Sequence, residues 1–143
     1  MADLLSPHFS LEELTRTSTG LPNNPEVAEG EDLVRLCDEI LEPMRALVGP
    51  LRINSGYRSP RVNAAIGGAS TSQHMRGQAA DVFPMKMALK EAFQAVKASS
   101  IPFDQLILEP SWIHVSVAPP NENPRHQTLR AHRSGGRMVY ERA

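Results

Sequence analysis

Between Leu33 and Val48 apolar side chains recur every three or four residues: Leu33, Val34, Cys37, Ile40, Leu41, Met44, Leu47 and Val48. A stripe with that period can be buried only as one face of an α-helix, so the chain must build its core against one long amphipathic helix. Asn24-Pro25 offers an N-cap and a proline at the first helical position, and Gly49-Pro50 stops the helix. Pro43 falls inside it and has no N–H for the carbonyl four residues earlier, which predicts a bend. Cys37 is the only cysteine and lies on the stripe, so it is read as a small buried hydrophobe rather than a reactive thiol.

The remaining elements are short. Ser10-Leu11-Glu12-Glu13 fits a capping box and opens a helix to about Arg16. Leu51 to Asn54 alternates as a strand, Ser55-Gly56 turns the chain, and Pro60 to Ile66 forms one or two helical turns, followed by a loop to Ser72. Ala79 to Phe83 reads as a buried strand ended by Pro84. Met85, Leu89, Phe93 and Val96 mark one face of a second amphipathic helix, about Lys86 to Ala98. Gln105 to Leu108 and Trp112 to Val117 are strands separated by Pro110-Ser111. Ala118 to Pro124 is a surface loop, and about 128–140 is a hairpin turning at Ser134-Gly135-Gly136. Helices and strands mix without βαβ alternation, which predicts a single α+β domain over 1–143, with a small, mostly antiparallel sheet flanked by helices.

Composition removes several functions. Fifteen Lys+Arg against sixteen Asp+Glu leave a formal charge of -1, so no global basic field exists to hold nucleic acid. No apolar run approaches the roughly 20 residues of a membrane span. The opening Met1-Ala2-Asp3-Leu4-Leu5-Ser6-Pro7 lacks a basic region before an apolar block, so synthesis is expected in the cytoplasm without a secretory signal. His8, His126 and His132 read as surface residues. Arg125, Arg130, Arg133, Arg137 and Arg142 make a basic tail, read as a solvated hairpin face and, less strongly, as a contact for an anionic cell wall.

Chemistry concentrates in three segments: Ser55-Gly56-Tyr57-Arg58-Ser59-Pro60, Ser72-Gln73-His74-Met75-Arg76-Gly77-Gln78-Ala79-Ala80-Asp81, and Glu109-Pro110-Ser111-Trp112-Ile113-His114. His74 in a loop, Asp81 in a strand and His114 in an apolar strand can meet at one point. Two imidazoles and a carboxylate leave the fourth position of a tetrahedral zinc open, as catalytic sites require. Taken singly, each has a plainer reading: His114 as a hydrogen-bonded core residue, His74 as a loop histidine, Asp81 as a strand-end cap or ion-pair partner.

Jointly the segments resemble the zinc D-alanyl-D-alanine carboxypeptidases, peptidase family M15, with the pattern Ser-x-His-x-x-Gly-x-Ala-x-Asp followed by Trp-x-His. The resemblance spans about 9–117. It implies a fold like that of the hedgehog signalling domain and the DD-peptidases, with Zn2+ held by His74, Asp81 and His114. It further implies that Arg58 binds the substrate carboxylate or polarises the scissile carbonyl, that Ser72 and Gln73 line the peptide cleft, and that Glu109 is the acid/base. The dipeptidase and phage-endolysin branches place that acid three residues before the last histidine, where this chain has Ser111; Glu109, five before it, follows the carboxypeptidase branch. On one unbroken strand Glu109 and His114 would face opposite ways, but the Pro110-Ser111 break can reset that parity. Plainer readings make Glu109 a surface ion-pair partner, Arg58 a solvated arginine and Trp112 a core or cleft-wall residue.

The expectation is a monomeric zinc peptidase acting on peptidoglycan stem peptides, removing a terminal D-alanine or cutting an internal bond such as L-alanyl-D-glutamate. It would work in the cell wall or periplasm, or as a phage lysin or tail-associated enzyme. The rivals are a zinc-containing binding module without turnover and a structural phage component.

Overall fold

The computed structural model describes residues 3–143; Met1 and Ala2, part of the opening read for a leader, lie outside the described residues. The chain starts with a small antiparallel pair absent from the sequence reading, β1 (Leu4–Ser6) and β2 (Phe9–Ser10). Helix α1 (Leu11–Thr15) follows with its expected capping box: the Glu13 amide donates to Ser10 Oγ (3.1 Å) and the Ser10 amide to Glu13 Oε1 (3.1 Å).

The apolar stripe forms the core helix in three pieces: α2 (Val27–Leu36), a π-helical turn (Cys37–Leu41) and α3 (Glu42–Val48). It begins two residues later than Asn24-Pro25 suggests, because the Glu26 amide finds a cap in the Glu29 carboxylate (3.0 Å). The irregularity expected at Pro43 lies in the turn before it, where the Glu42 amide donates to the Cys37 carbonyl five residues back. A wide turn there separates the proline ring from the carbonyl it would otherwise strike. The buried stripe also differs from the expected one: Leu36 is fully buried, whereas Val34 (37% exposed) and Leu47 (44%) face outward. Cys37 is buried as expected, and burial pushes its thiol up to about 12, so it is unreactive.

Six strands make the main sheet: β3 (Leu51–Ser55), β4 (Ala79–Pro84), β5 (Gln105–Leu108), β6 (Ile113–Ser116), β7 (Gln127–Ser134) and β8 (Arg137–Arg142). Between them lie α4 (Pro60–Ala65), capped by Ser59, a 3-10 turn (Gln73–Arg76) where a loop was expected, and α5 (Leu89–Lys97). Helix α5 is shorter than predicted, and Met85 stays exposed outside it. The strand order is β3-β4-β6-β5-β7-β8, antiparallel throughout except where β7 runs parallel to β5. The architecture is α+β as predicted, and the terminal hairpin extends this sheet.

Alternation assigns the two faces of the sheet different work. Ala80 and Val82, Ile113 and Val115, and Leu106 and Leu108 turn into one core with Leu33, Leu36, Ile40, Met44, Phe93 and Val96. Their neighbours Asp81, His114, Ile107 and Leu129 form a row across four strands on the other face. Among the described residues no helix is long and apolar enough to cross a membrane.

This packing separates two leucines of the stripe. Leu36→Ala is expected to cost about 2–5 kcal/mol and Leu47→Ala no more than about 0.5 kcal/mol, compared by urea denaturation midpoints at constant slope.

Candidate metal centre and cleft

Register brings the first two candidate ligands together: Asp81 on β4 is paired directly with His114 on β6. The third arrives on the 3-10 turn. There the His74 amide donates to Ser72 Oγ (3.2 Å), and Gly77 closes the turn at φ +73°. A Cβ on Gly77 would lie 2.4 Å from the Glu29 carbonyl of α2, so only glycine lets the turn settle against the core helix. One donor atom from each of His74, Asp81 and His114 falls within 4.8 Å of the others.

The donor set fits a cation. His74 Nδ1 lies 2.7 Å from the Gly56 carbonyl, which can only accept, so Nδ1 carries the proton and Nε2 presents its lone pair. Burial pushes the His74 ring below its ordinary value despite the pull of Asp81, keeping it neutral. Burial alone would raise the Asp81 carboxyl, but charge and hydrogen bonding within the cluster hold it well below the usual carboxylate range. Two acceptors, His74 Nε2 and Asp81 Oδ1, thus face each other at 3.3 Å, with His114 Nδ1 3.1 Å from the same oxygen. Tetrahedral zinc with bonds near 2.0 Å spaces its ligands about 3.3 Å apart, so the two imidazole–carboxylate distances match zinc-like separations.

Arg58 is anchored rather than solvated. Its Nη2 donates to Asp81 Oδ2 (3.0 Å) and its Nε to Ser55 Oγ (3.0 Å), while Nη1 has no protein partner among the described residues. The turn that carries it is clamped by buried Asn23, which the sequence reading missed. Asn23 Nδ2 donates to the Thr15 and Tyr57 carbonyls (both 2.8 Å), and its Oδ1 accepts from the Ser59 amide (2.7 Å).

Glu109 and Trp112 close a tight hairpin, the Glu109 amide donating to the Trp112 carbonyl (2.9 Å). Reversal at Pro110-Ser111 pairs Ile107 with His114, so Glu109, two residues after Ile107, shares the face of His114. Glu109 is 7% exposed and has no ion pair among the described residues, which removes the surface-salt-bridge reading. Burial and the charge of Asp81 raise its carboxyl above the ordinary value, as suits a base. Glu109, Arg58, Trp112 and the three candidate ligands line one cleft of about 680 Å³.

Ser72 and Gln73 also border this cleft, though Ser72 is occupied in capping the 3-10 turn and Gln73 Nε2 donates to buried Asp104 (3.2 Å). Arg125, grouped by sequence with the solvated tail, instead forks onto Asp104 through Nε (3.1 Å) and Nη2 (2.8 Å) at the cleft rim. Tyr140 and Leu129 of the hairpin line the cleft too, a contribution no motif announced.

A family model described as Peptidase M15 matches residues 7–116. The chain belongs to the peptidase M15 family. Over 44 residues, 29% of this chain, it is 48% identical to a zinc D-Ala-D-Ala carboxypeptidase of Streptomyces albus G, and that stretch spans 17% of the relative. Arg58, His74, Asp81, Glu109, Trp112 and His114 all fall inside the family match, whereas Arg125, Leu129 and Tyr140 follow it.

The metal-free protein should be acid-sensitive. The unfolded chain takes up a proton at histidine near 6.5 that folded His74 resists, so stability is fullest above that pH and falls as pH drops below it. Asp81 adds a contribution present above about 3.8 and lost only as pH falls through its depressed folded value. Thermal midpoints of chelator-stripped protein should therefore fall from about pH 7 to about pH 5, with a shallower slope in His74→Gln.

Proposed function

We propose that this M15 peptidase is a zinc enzyme of the cell wall that hydrolyses peptidoglycan stem peptides, most readily as a D-Ala-D-Ala carboxypeptidase. The observation carrying this reading is the convergence of His74, Asp81 and His114 in a cleft that also contains a buried carboxylate and an arginine with one free edge. The name of the Streptomyces relative points the same way.

His74, Asp81 and His114 would hold Zn2+. When bound, the ion supplies Lewis acidity, polarising the scissile carbonyl and lowering the pKa of water towards about 7. Glu109 takes the proton of the attacking water and passes it to the departing amine, since it is buried, free of cationic partners and raised in basicity. Arg58 orients the substrate: with Nε and Nη2 committed to Ser55 and Asp81, its Nη1 edge can grip a terminal carboxylate. That preference favours cutting at the free end of a stem peptide over an internal bond such as L-alanyl-D-glutamate.

The test is amine release from acyl-D-Ala-D-Ala peptides and from purified muropeptides, with and without chelator, the products identified by mass. Glu109→Gln should lower kcat by roughly 10²–10⁴-fold while zinc content is unchanged. Zinc retention by the wild type with no release from any muropeptide would instead identify a binding module.

A further inference from the structure

The family match ends at residue 116, but the cleft does not. Its far wall comes from the terminal hairpin, where β7 pairs in parallel with β5 and β8 completes the sheet. Ile107 is paired with Leu129, so the next residues outward on the same face are Glu109 and Ala131, and Ala131 is paired with Tyr140. Glu109, Ala131 and Tyr140 therefore form one row on the cleft face, on three successive strands. Neighbouring strands lie about 4.8 Å apart, so about 10 Å separates the first and third backbones, a gap that a phenol and a carboxylate span together. The residue between them has only a methyl group, and Ala131 is buried on that face of the sheet (6% exposed).

We propose that Tyr140 is a positioning residue for peptide hydrolysis: its hydroxyl donates across Ala131 to the Glu109 carboxylate and fixes the rotamer in which the other carboxylate oxygen faces the cleft. The inference rests on Glu109 being the base. The polar coupling is mutual. Burial and the Glu109 charge push the Tyr140 phenol above its ordinary value, so it remains a donor at neutral pH, and Tyr140 in turn offsets part of the burial penalty on Glu109. The Glu109 carboxylate opens onto the cleft, and an otherwise mobile glutamate base is ineffective unless held within hydrogen-bond reach of its proton. Tyr140 is half exposed, so its hydroxyl can be removed without opening the core.

The decisive comparison sets zinc-loaded wild type beside Tyr140→Phe and Glu109→Gln on the substrate that turns over best. Tyr140→Phe should lose about tenfold in kcat, the weight of one hydrogen bond to a charged group, with KM, zinc content and thermal midpoint unchanged. Ultraviolet titration gives a readout independent of turnover. Of the two tyrosines, the component missing in Tyr140→Phe should titrate at lower pH in Glu109→Gln. Wild-type kcat in Tyr140→Phe, a loss confined to KM, or an unmoved phenol titration each overturns the inference. The base assignment survives those outcomes if Glu109→Gln is inactive. An active Glu109→Gln overturns the base reading and this inference with it.

Discussion

The site depends on one buried carboxylate. Asp81 directs Oδ1 at His74 and His114 and gives Oδ2 to Arg58, so a single side chain links both imidazoles to the arginine. Burying a carboxylate is costly unless cationic partners surround it, and Arg58 alone engages only one of its oxygens. The second oxygen, meeting a neutral imidazole lone pair, is what makes the cluster a candidate cation site rather than an ordinary ion pair. Every nearby element serves that arrangement: the β4–β6 register sets His114, the 3-10 turn sets His74, and the Asn23 clamp holds the turn bearing Arg58.

The sheet lets so polar a centre sit directly on a hydrophobic core. In Ala80-Asp81-Val82 and Ile113-His114-Val115 the flanking residues drive burial on one face while the middle residue is delivered to the other. A slip of one residue in the β4–β6 pairing would turn one of these two side chains into the core, so the same hydrophobic pattern that stabilises the fold also sets Asp81 beside His114.

Much of this was legible in the sequence because it is local. The capping box at Ser10 and the strands read at Gln105–Leu108 and Ala79–Phe83 report on neighbours along the chain, whereas His74, Asp81 and His114 are linked by the family resemblance and not by proximity in sequence. Where the reading failed, the cause was tertiary. Val34 and Leu36 suit a helix equally, and only packing decides which is buried. The wide turn before Pro43 displaces the bend to where the backbone can relax. Asn23 and Arg125 act through partners 34 and 21 positions away, respectively Tyr57 and Asp104, and Tyr140 reaches the cleft from the last strand; no periodicity records such placements.

The hairpin wall also divides the cleft by origin. The half that carries Asp81 and His114 is woven into the central strands, where any change disturbs the core beneath. The opposing half is borne by β7 and β8 at the sheet margin, largely exposed and joined to the body through the pairing with β5. Margins of this kind tolerate exchange, so substrate preference can drift with the tail while the chemistry behind it stays still.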